Sequence, residues 1–321
     1  MPPKIYDDPL FIKALKQPRY ALKRGNRKIL HFIDDQIRVL RQSLSSDQAS
    51  TIVNQKEIQV FGLRRSGNHA LIEWILAQEK QVGSVHFIND VPVGENPYRF
   101  QYEYYTDHYK DEWWYPEESA RIKKAVRGDF RPLASLIFNY EDRDLTQVID
   151  TNFEKKHDLY VGATGRRYSV IILRDPFNLF ASRIKGGFPH VKSSRYNLID
   201  YWLFYAKEFL NETNYLKYQK VAVNYNLWAS VPSYRREIAQ QLGLTFTDEG
   251  IQRVSGMGGG SSFDERKFDG QAQAMKTDER WRYYLEDDFY KSLFKNQELL
   301  DYSRQIFGEI TGTEELIKSL S

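Results

Sequence analysis

The sequence predicts an α/β fold: a doubly wound, mostly parallel sheet flanked by helices, with a helical N-terminal extension. Three observations carry this prediction. Short apolar runs recur along the chain, helix-period patterns follow them, and the turns between hold glycine, arginine and helix-capping residues. Strands alternating with helices imply βαβ units. Such sheets bind ligands at the carboxyl ends of their strands, so functional residues are expected just after the apolar runs.

Taken in order, residues 1–56 read as a basic, partly helical extension and residues 57–321 as one α/β domain. From Met1 to Ser45 ten Lys/Arg stand against four Asp, a net +6 within a chain whose overall charge is +3. Such an arm suits a solvated helix packed on the main domain, and also nucleic acid or an anionic membrane. No helix-turn-helix or aromatic RNA-binding signature accompanies it, which argues against nucleic acid. Ile37, Leu40 and Leu44 give residues 34–44 helical spacing, and a polar run over 45–56 leads into the body. The first strand is predicted over 57–62 (EIQVFG) and a helix over 68–78 (NHALIEWILAQ). Further strands are predicted over 86–88, 136–140 (LIFNY), 168–173 (YSVIIL) and 221–225 (VAVNY).

Composition bounds the function. Hydrophobic residues make up 41% and charged residues 28%, an ordinary water-soluble balance with enough apolar material for a large core. The apolar run at 170–173 is far shorter than the roughly 20 residues of a membrane span. The opening MPPKIYDDPL lacks the apolar stretch of a signal peptide, so a cytoplasmic protein is expected. With no cysteine there is no disulfide framework, thiolate nucleophile or cysteine zinc site. Aromatics reach 15% and crowd into residues 98–115 (YRFQYEYYTDHYKDEWWY). That stretch suits the edge of a core or an acceptor pocket in which rings stack on a sugar or hold a cation.

Two constellations follow strands. In EIQVFGLRRSGNHALIEWI a strand runs through Gly62–His69 into a helix, and a helix N-terminus after such a turn attracts anions. Arg64, Arg65, Ser66, Asn68 and His69 add donors there, around Gly67. A nucleotide triphosphatase loop needs GxxxxGK[ST]. Here Asn68 and His69 replace the lysine and hydroxyl, so ATP or GTP hydrolysis is not expected. In YSVIILRDPFNLFASRIKGG, Asp175 is placed to cap a helix starting at Pro176, with Gly186 or Gly187 ending it. Arg174 at the strand end and Ser182 within the helix are then placed to share one phosphate. The run Glu141-Asp142-Arg143-Asp144 reads as a helix-start cap and solvated face, not a metal cluster.

Together these motifs resemble the P-loop sulfotransferases, which use 3′-phosphoadenosine-5′-phosphosulfate. Arg64-Arg65-Ser66-Gly67-Asn68-His69 matches the family's Pro-[Lys/Arg]-Ser-Gly-Thr-Thr loop, with Asn68-His69 in place of the threonine pair. Arg174-Asp175-Pro176 with Ser182 matches its Arg-[Asn/Asp]-Pro motif in type and spacing. Tyr225 stands for the tyrosine of Tyr-Glu-Asp-Leu, with Asn226 in place of the acidic residue. The segment 256–262 (GMGGGSS), with Gly258, Gly259, Gly260 and Ser261, then Arg280-Trp281, resembles the glycine-rich loop that closes on the 3′-phosphate. Arg253 or Arg266 is the expected basic residue of that loop. The similarity spans roughly residues 57–307.

The resemblance implies a P-loop-type fold, the phosphosulfate as donor and adenosine 3′,5′-bisphosphate as product. The acceptor would be a small molecule or sugar, cationic ones included, in metabolite tailoring. No metal is expected, because sulfate carries less charge than a terminal phosphate. The resemblance assigns Arg65 to the leaving oxygen, with His69 adding a hydrogen bond. It puts the base at the end of the strand between the two phosphate motifs, where Glu141 is the first candidate. His108 and His86, working from loops, are the alternatives. A phosphotransferase and a non-catalytic nucleotide-binding protein are the competing classes.

Overall fold

Neighbouring residues on the central strands enter opposite cores. Ile58 and Val60 of the first strand, Ile137 of the third and Val170 and Ile172 of the fourth pack into one apolar cluster. Phe61, Leu136, Phe138, Ile171 and Leu173 pack into the other. A strand sandwiched this way reads as a continuous apolar run, which is how these segments appear in the sequence. The computed structural model describes residues 18–44, 51–148 and 151–318.

The five strands are β1 (Asn54–Gly62), β2 (Val85–Ile88), β3 (Leu133–Glu141), β4 (Thr164–Leu173) and β5 (Gln219–Asn224). They form one sheet in the order β2-β3-β1-β4-β5, and every pairing is parallel. The longer helices are α1 (Pro18–Leu44), α2 (Asn68–Glu79), α3 (Pro97–His108), α4 (Tyr115–Val126), α5 (Pro176–Lys185), α6 (Leu198–Phe209), α7 (Pro232–Gln241) and α8 (Gln297–Phe307). Residues of α2 and α7 build one core, while those of α5, α6 and α8 build the other. This is the doubly wound α/β fold that the alternation predicts.

Three expectations shift. β1 begins at Asn54, inside the segment read as extension, because Asn54 already pairs with Leu133 of β3 and Thr164 of β4 and its Nδ2 donates to the Val161 carbonyl at 2.9 Å. β5 ends at Asn224, not Tyr225, because Asn224 accepts from the Leu227 N–H at 3.2 Å and starts a short helix over Tyr225–Ser230. The helix predicted over 34–44 starts at Pro18. It docks through Asp35, which accepts from Arg99 at 2.8 Å and Lys156 at 3.0 Å, and through Arg38, which donates to the Val126 carbonyl at 2.7 Å. The basic residues Lys4, Lys13 and Lys16 lie outside the described residues. No helix among the described residues is long and apolar enough to cross a membrane.

The acidic run after β3 is also not a solvated face. Asp144 caps a turn of 3₁₀ helix by accepting from the Thr146 N–H at 3.0 Å, as a cap should. Asp142 instead faces inward onto Arg183, whose side chain is fully buried. Arg183 Nη1 and Nη2 grip the carboxylate at 2.7 and 3.1 Å. The same guanidinium donates to the carbonyls of Arg64, Phe188 and His190 at 3.0–3.1 Å.

Candidate active site

The carboxyl ends of β1, β3, β4 and β5 open onto a cavity of about 1100 Å³. The loop after β1 is shaped by two glycines and one strained arginine. A Cβ at Gly62 would stand 1.9 Å from Asn68 Oδ1, so no side chain fits there. Arg65 has φ 74° and Gly67 φ 95°, both left-handed. A Cβ on Gly67 would also lie 2.2 Å from the Tyr225 ring. Gly67→Ala is therefore expected to cost about 1–3 kcal/mol in stability, from the dihedral and the displaced ring. Urea unfolding checks that, and nucleotide titration of the same variant should show weakened binding. Asn68, first residue of α2, turns its amide back into the protein, donating to the Leu63 carbonyl at 3.1 Å and to Glu141 Oε1 at 3.2 Å. The first turn of α2 carries no acidic residue of its own, and Glu141 from β3 is the carboxylate set against it.

Three arginines converge on this cavity: Arg65, Arg174 and Arg280. Arg65 Nη1 donates to the Gly260 carbonyl at 2.8 Å. Arg174 Nη1 donates to Ser182 Oγ at 3.1 Å and to the Arg65 carbonyl at 3.3 Å, and its Nη2 reaches the Thr277 carbonyl. Arg280 donates to the same Ser182 Oγ at 3.1 Å and to Ser261 Oγ at 2.8 Å. The Nε atoms of all three are buried without a partner. No ion pair among the described residues involves Arg65 or Arg174, and the nearest carboxylate oxygen to Arg280 is Asp264 at 3.6 Å. Burial pulls the Arg65 guanidinium below its ordinary range, helped by neighbouring Arg64 and Arg183. Arg280 is drawn down to about 10, first by burial and then by the charge of Arg174. Two buried arginines and a half-buried one, with only Glu141 and Asp264 near enough to offset their charge, are poised for a polyanion.

Glu141, last residue of β3, lies on the other side of the α2 N-terminus. It pairs with Arg64 Nε at 3.3 Å, and His69 Nε2 is 3.9 Å away. His69 Nε2 lies 2.9 Å from Asn89 Oδ1. Arg64 stacks its guanidinium on Phe188, with 4.7 Å to the ring centroid. Glu141, His69, Asn89 and Asp90 thus line the cavity together and set carboxylates beside its arginines, with Asp90 held by Arg143 at 2.7 Å.

The structure gathers Arg64, Arg65, Gly67, Asn68, His69, Glu141, Arg174, Tyr225, Gly260 and Ser261 around the one cavity. Ser182 lies beneath its floor between Arg174 and Arg280, and Ser66 is fully buried in the loop. Gly259 is not on the wall; Gly260 makes the contact. His108 is not brought to the site: it ends α3, exposed, its Nδ1 2.9 Å from the Tyr104 carbonyl. His86 is buried elsewhere, with Nε2 2.7 Å from Gln101 Oε1. None of residues 98–115 lines the cavity, and their rings pack on one another, as in Tyr105 against Trp114 at 5.3 Å. Of the basic residues expected for the glycine-rich loop, Arg266 pairs with Asp269 at 2.5 Å and only Arg253 reaches the wall. Arg280 lines the same wall. Asn226, where the resemblance expects an acid, donates to the capping carboxylate of Asp175 at 3.0 Å. Sequence reasoning missed Trp228 and Phe188, which line the cavity and carry no motif.

Comparison with protein-family models and with curated proteins finds no match. Among solved structures, the chain is similar to the sulfotransferase domain of the Synechococcus PCC 7002 olefin synthase. Identity is 12% over 81% of this chain and 98% of that one, with a TM-score of 0.44. It is also similar to retinol dehydratase in complex with retinol and PAP, at 15% identity over 81% of this chain and 84% of that one, TM-score 0.41. A second retinol dehydratase structure, with androsterone and inactive cofactor PAP, matches at 14% identity over 81% and 83%, TM-score 0.37.

Proposed function

We propose that the protein is a sulfotransferase that moves a sulfuryl group from 3′-phosphoadenosine-5′-phosphosulfate to a hydroxyl or amine of a small acceptor. The observation that carries the reading is a set of three arginines, Arg174 and Arg280 buried and Arg65 half-buried, with partnerless Nε atoms and two serine hydroxyls between them. That donor set fits a ligand with two separate anionic groups. Arg174, Arg280, Ser182 and Ser261 would hold a 3′-phosphate, and the 62–68 turn with Arg65 the 5′-phosphosulfate. A triphosphate with Mg²⁺ fits less well, since Asn68 stands where a P-loop lysine belongs and its amide is spent on Leu63 and Glu141.

The donor supplies a sulfuryl group bonded to a phosphate leaving oxygen. Transfer of that kind has a loose transition state, so positioning and electrostatics carry the rate. Arg65 stays protonated and therefore works as a fixed charge facing the leaving oxygen. Glu141 takes the proton from the acceptor, with His69 and Asn89 orienting the acceptor group beside it. Glu141→Gln is expected to lower turnover roughly 10²-fold with little change in nucleotide affinity. A single-turnover assay alongside a binding titration checks this. The carboxylates Glu141 and Asp90 on the cavity wall favour a cationic or neutral acceptor over a polyanionic one.

Calorimetric titration with adenosine 3′,5′-bisphosphate, ATP and 5′-AMP, with and without Mg²⁺, tests the proposal. Metal-independent preference for the bisphosphate, followed by turnover with the phosphosulfate donor, is the expected result. Tighter Mg²⁺-dependent ATP binding would replace the reading with a phosphotransferase. Bisphosphate binding without turnover on any acceptor would leave a nucleotide-binding protein.

A further inference from the structure

Helix α1 has two faces of opposite character. One docks on the body through Arg27 to Asp107 at 3.0 Å, His31 to Glu103 at 2.6 Å, and the Asp35 and Arg38 contacts given above. Two residues further along at each step, about 200° around the helix, stand Ile29, Ile33 and Ile37. These point away from the body, and Leu30, Phe32 and Val39 flank them. Ile29, Leu30 and Phe32 expose 61, 64 and 63% of their surface, and Ile33 and Ile37 expose 48 and 42%. Single exposed apolar residues are ordinary, but so many on one helix form a patch that water disfavours.

Charge selects the occupant of that patch. Over residues 18–44 seven Lys/Arg stand against Asp34 and Asp35, a net +5; Arg27 and Arg38 are spent on the body, so Arg19, Lys23, Arg24, Lys28 and Arg41 supply the charge left for a partner, and residues 1–45 together carry +6. A second copy docking through the same face would bring two such helices together and oppose like charges. An anionic lipid surface matches both properties at once: the apolar stripe enters the headgroup–acyl boundary while lysines and arginines meet lipid phosphates. We infer that α1 is an interfacial anchor that lays the protein on anionic membranes. The helix lies on the bilayer and does not span it. This inference does not depend on the transfer chemistry proposed above.

Flotation with vesicles of phosphatidylcholine plus phosphatidylserine, against phosphatidylcholine alone, tests it on the full chain. Binding to the anionic vesicles only is expected, weakening as salt is raised. The triple variant Ile29→Ser, Phe32→Ser, Ile33→Ser should lose about tenfold or more in partitioning. Its unfolding midpoint and bisphosphate affinity should be unchanged, since all three side chains face solvent. Lys23→Glu with Lys28→Glu gives a second arm that leaves the apolar stripe untouched and should weaken binding to anionic vesicles alone. Equal binding to neutral vesicles, or none to either, would overturn the inference. So would self-association that the triple variant abolishes in a wild-type protein that ignores vesicles; a second copy of the chain would then be the occupant.

Discussion

Arg65→Ala is expected to lower turnover by about 10³-fold while leaving the protein folded. The guanidinium is half-buried, makes a single hydrogen bond to a glycine carbonyl, and has an Nε with no partner. Glu141 is the one carboxylate whose charge supports it, and Arg64 and Arg183 oppose it. The charge is therefore more useful to a bound anion than to the apo fold. Removing it should relieve an unfavourable desolvation, so the unfolding free energy should change by no more than about 1 kcal/mol. Alanine inherits the left-handed φ of 74°, so the backbone strain is common to both proteins and cancels from the comparison. Arg65→Lys separates charge from shape: a lysine restores the cation without the planar fork, and partial recovery of turnover is expected. Presteady-state transfer assays with a matched bisphosphate titration read both effects. Wild-type turnover in Arg65→Ala would reduce Arg65 to a strut that holds Gly260.

What could be read from the sequence was whatever is decided locally. Asp175 and Pro176 announce a helix start because capping and the fixed proline dihedral act within one turn, and the side chain does accept from the Asn178 N–H at 2.8 Å. The turn around Gly67 is legible for the same reason. The parallel, doubly wound class followed from alternation, and the strand ends then placed Glu141, Arg174 and Tyr225 near one another; the strand order β2-β3-β1-β4-β5 did not follow from it. The rest depended on contacts between residues far apart in the chain. Arg280 reaches Ser182 across 98 residues, and no local pattern marks it as the partner of Arg174. The aromatic stretch misled because a ring-rich segment has the same composition whether it packs on itself or lines a pocket. His108 fell with it: its position at the end of α3 is set by the packing of α3 against α4, which the sequence does not display.

Asp142 and Arg183 illustrate the same separation and carry the largest expected effect on stability. Their sequence neighbours suggest surface charges, yet Arg183 is completely buried and all five of its donor positions are engaged. Asp142 also accepts from the Arg64 N–H at 2.8 Å, from a backbone with φ 52°. The pair therefore ties the end of β3 to the phosphate-facing loop on one side and to the 186–190 segment on the other. Removing the carboxylate strands a buried guanidinium. Asp142→Ala is expected to cost about 3–5 kcal/mol of unfolding free energy. Arg183→Met should cost less, because Asp142 is partly exposed and can be hydrated while it keeps the Arg64 N–H. The double variant should then be more stable than Asp142→Ala alone, since no charge is left buried without its partner. Urea unfolding of the four proteins gives the coupling energy directly. If Asp142→Ala costs under about 1 kcal/mol, Arg183 has found water or another acceptor. The loop before α2 would then hold its shape through Gly62, Gly67 and Asn68 alone. A second readout separates the two cases: with the loop untethered, bisphosphate affinity should fall in Asp142→Ala even at temperatures where the variant is fully folded, because Arg65 and the α2 N-terminus share that backbone.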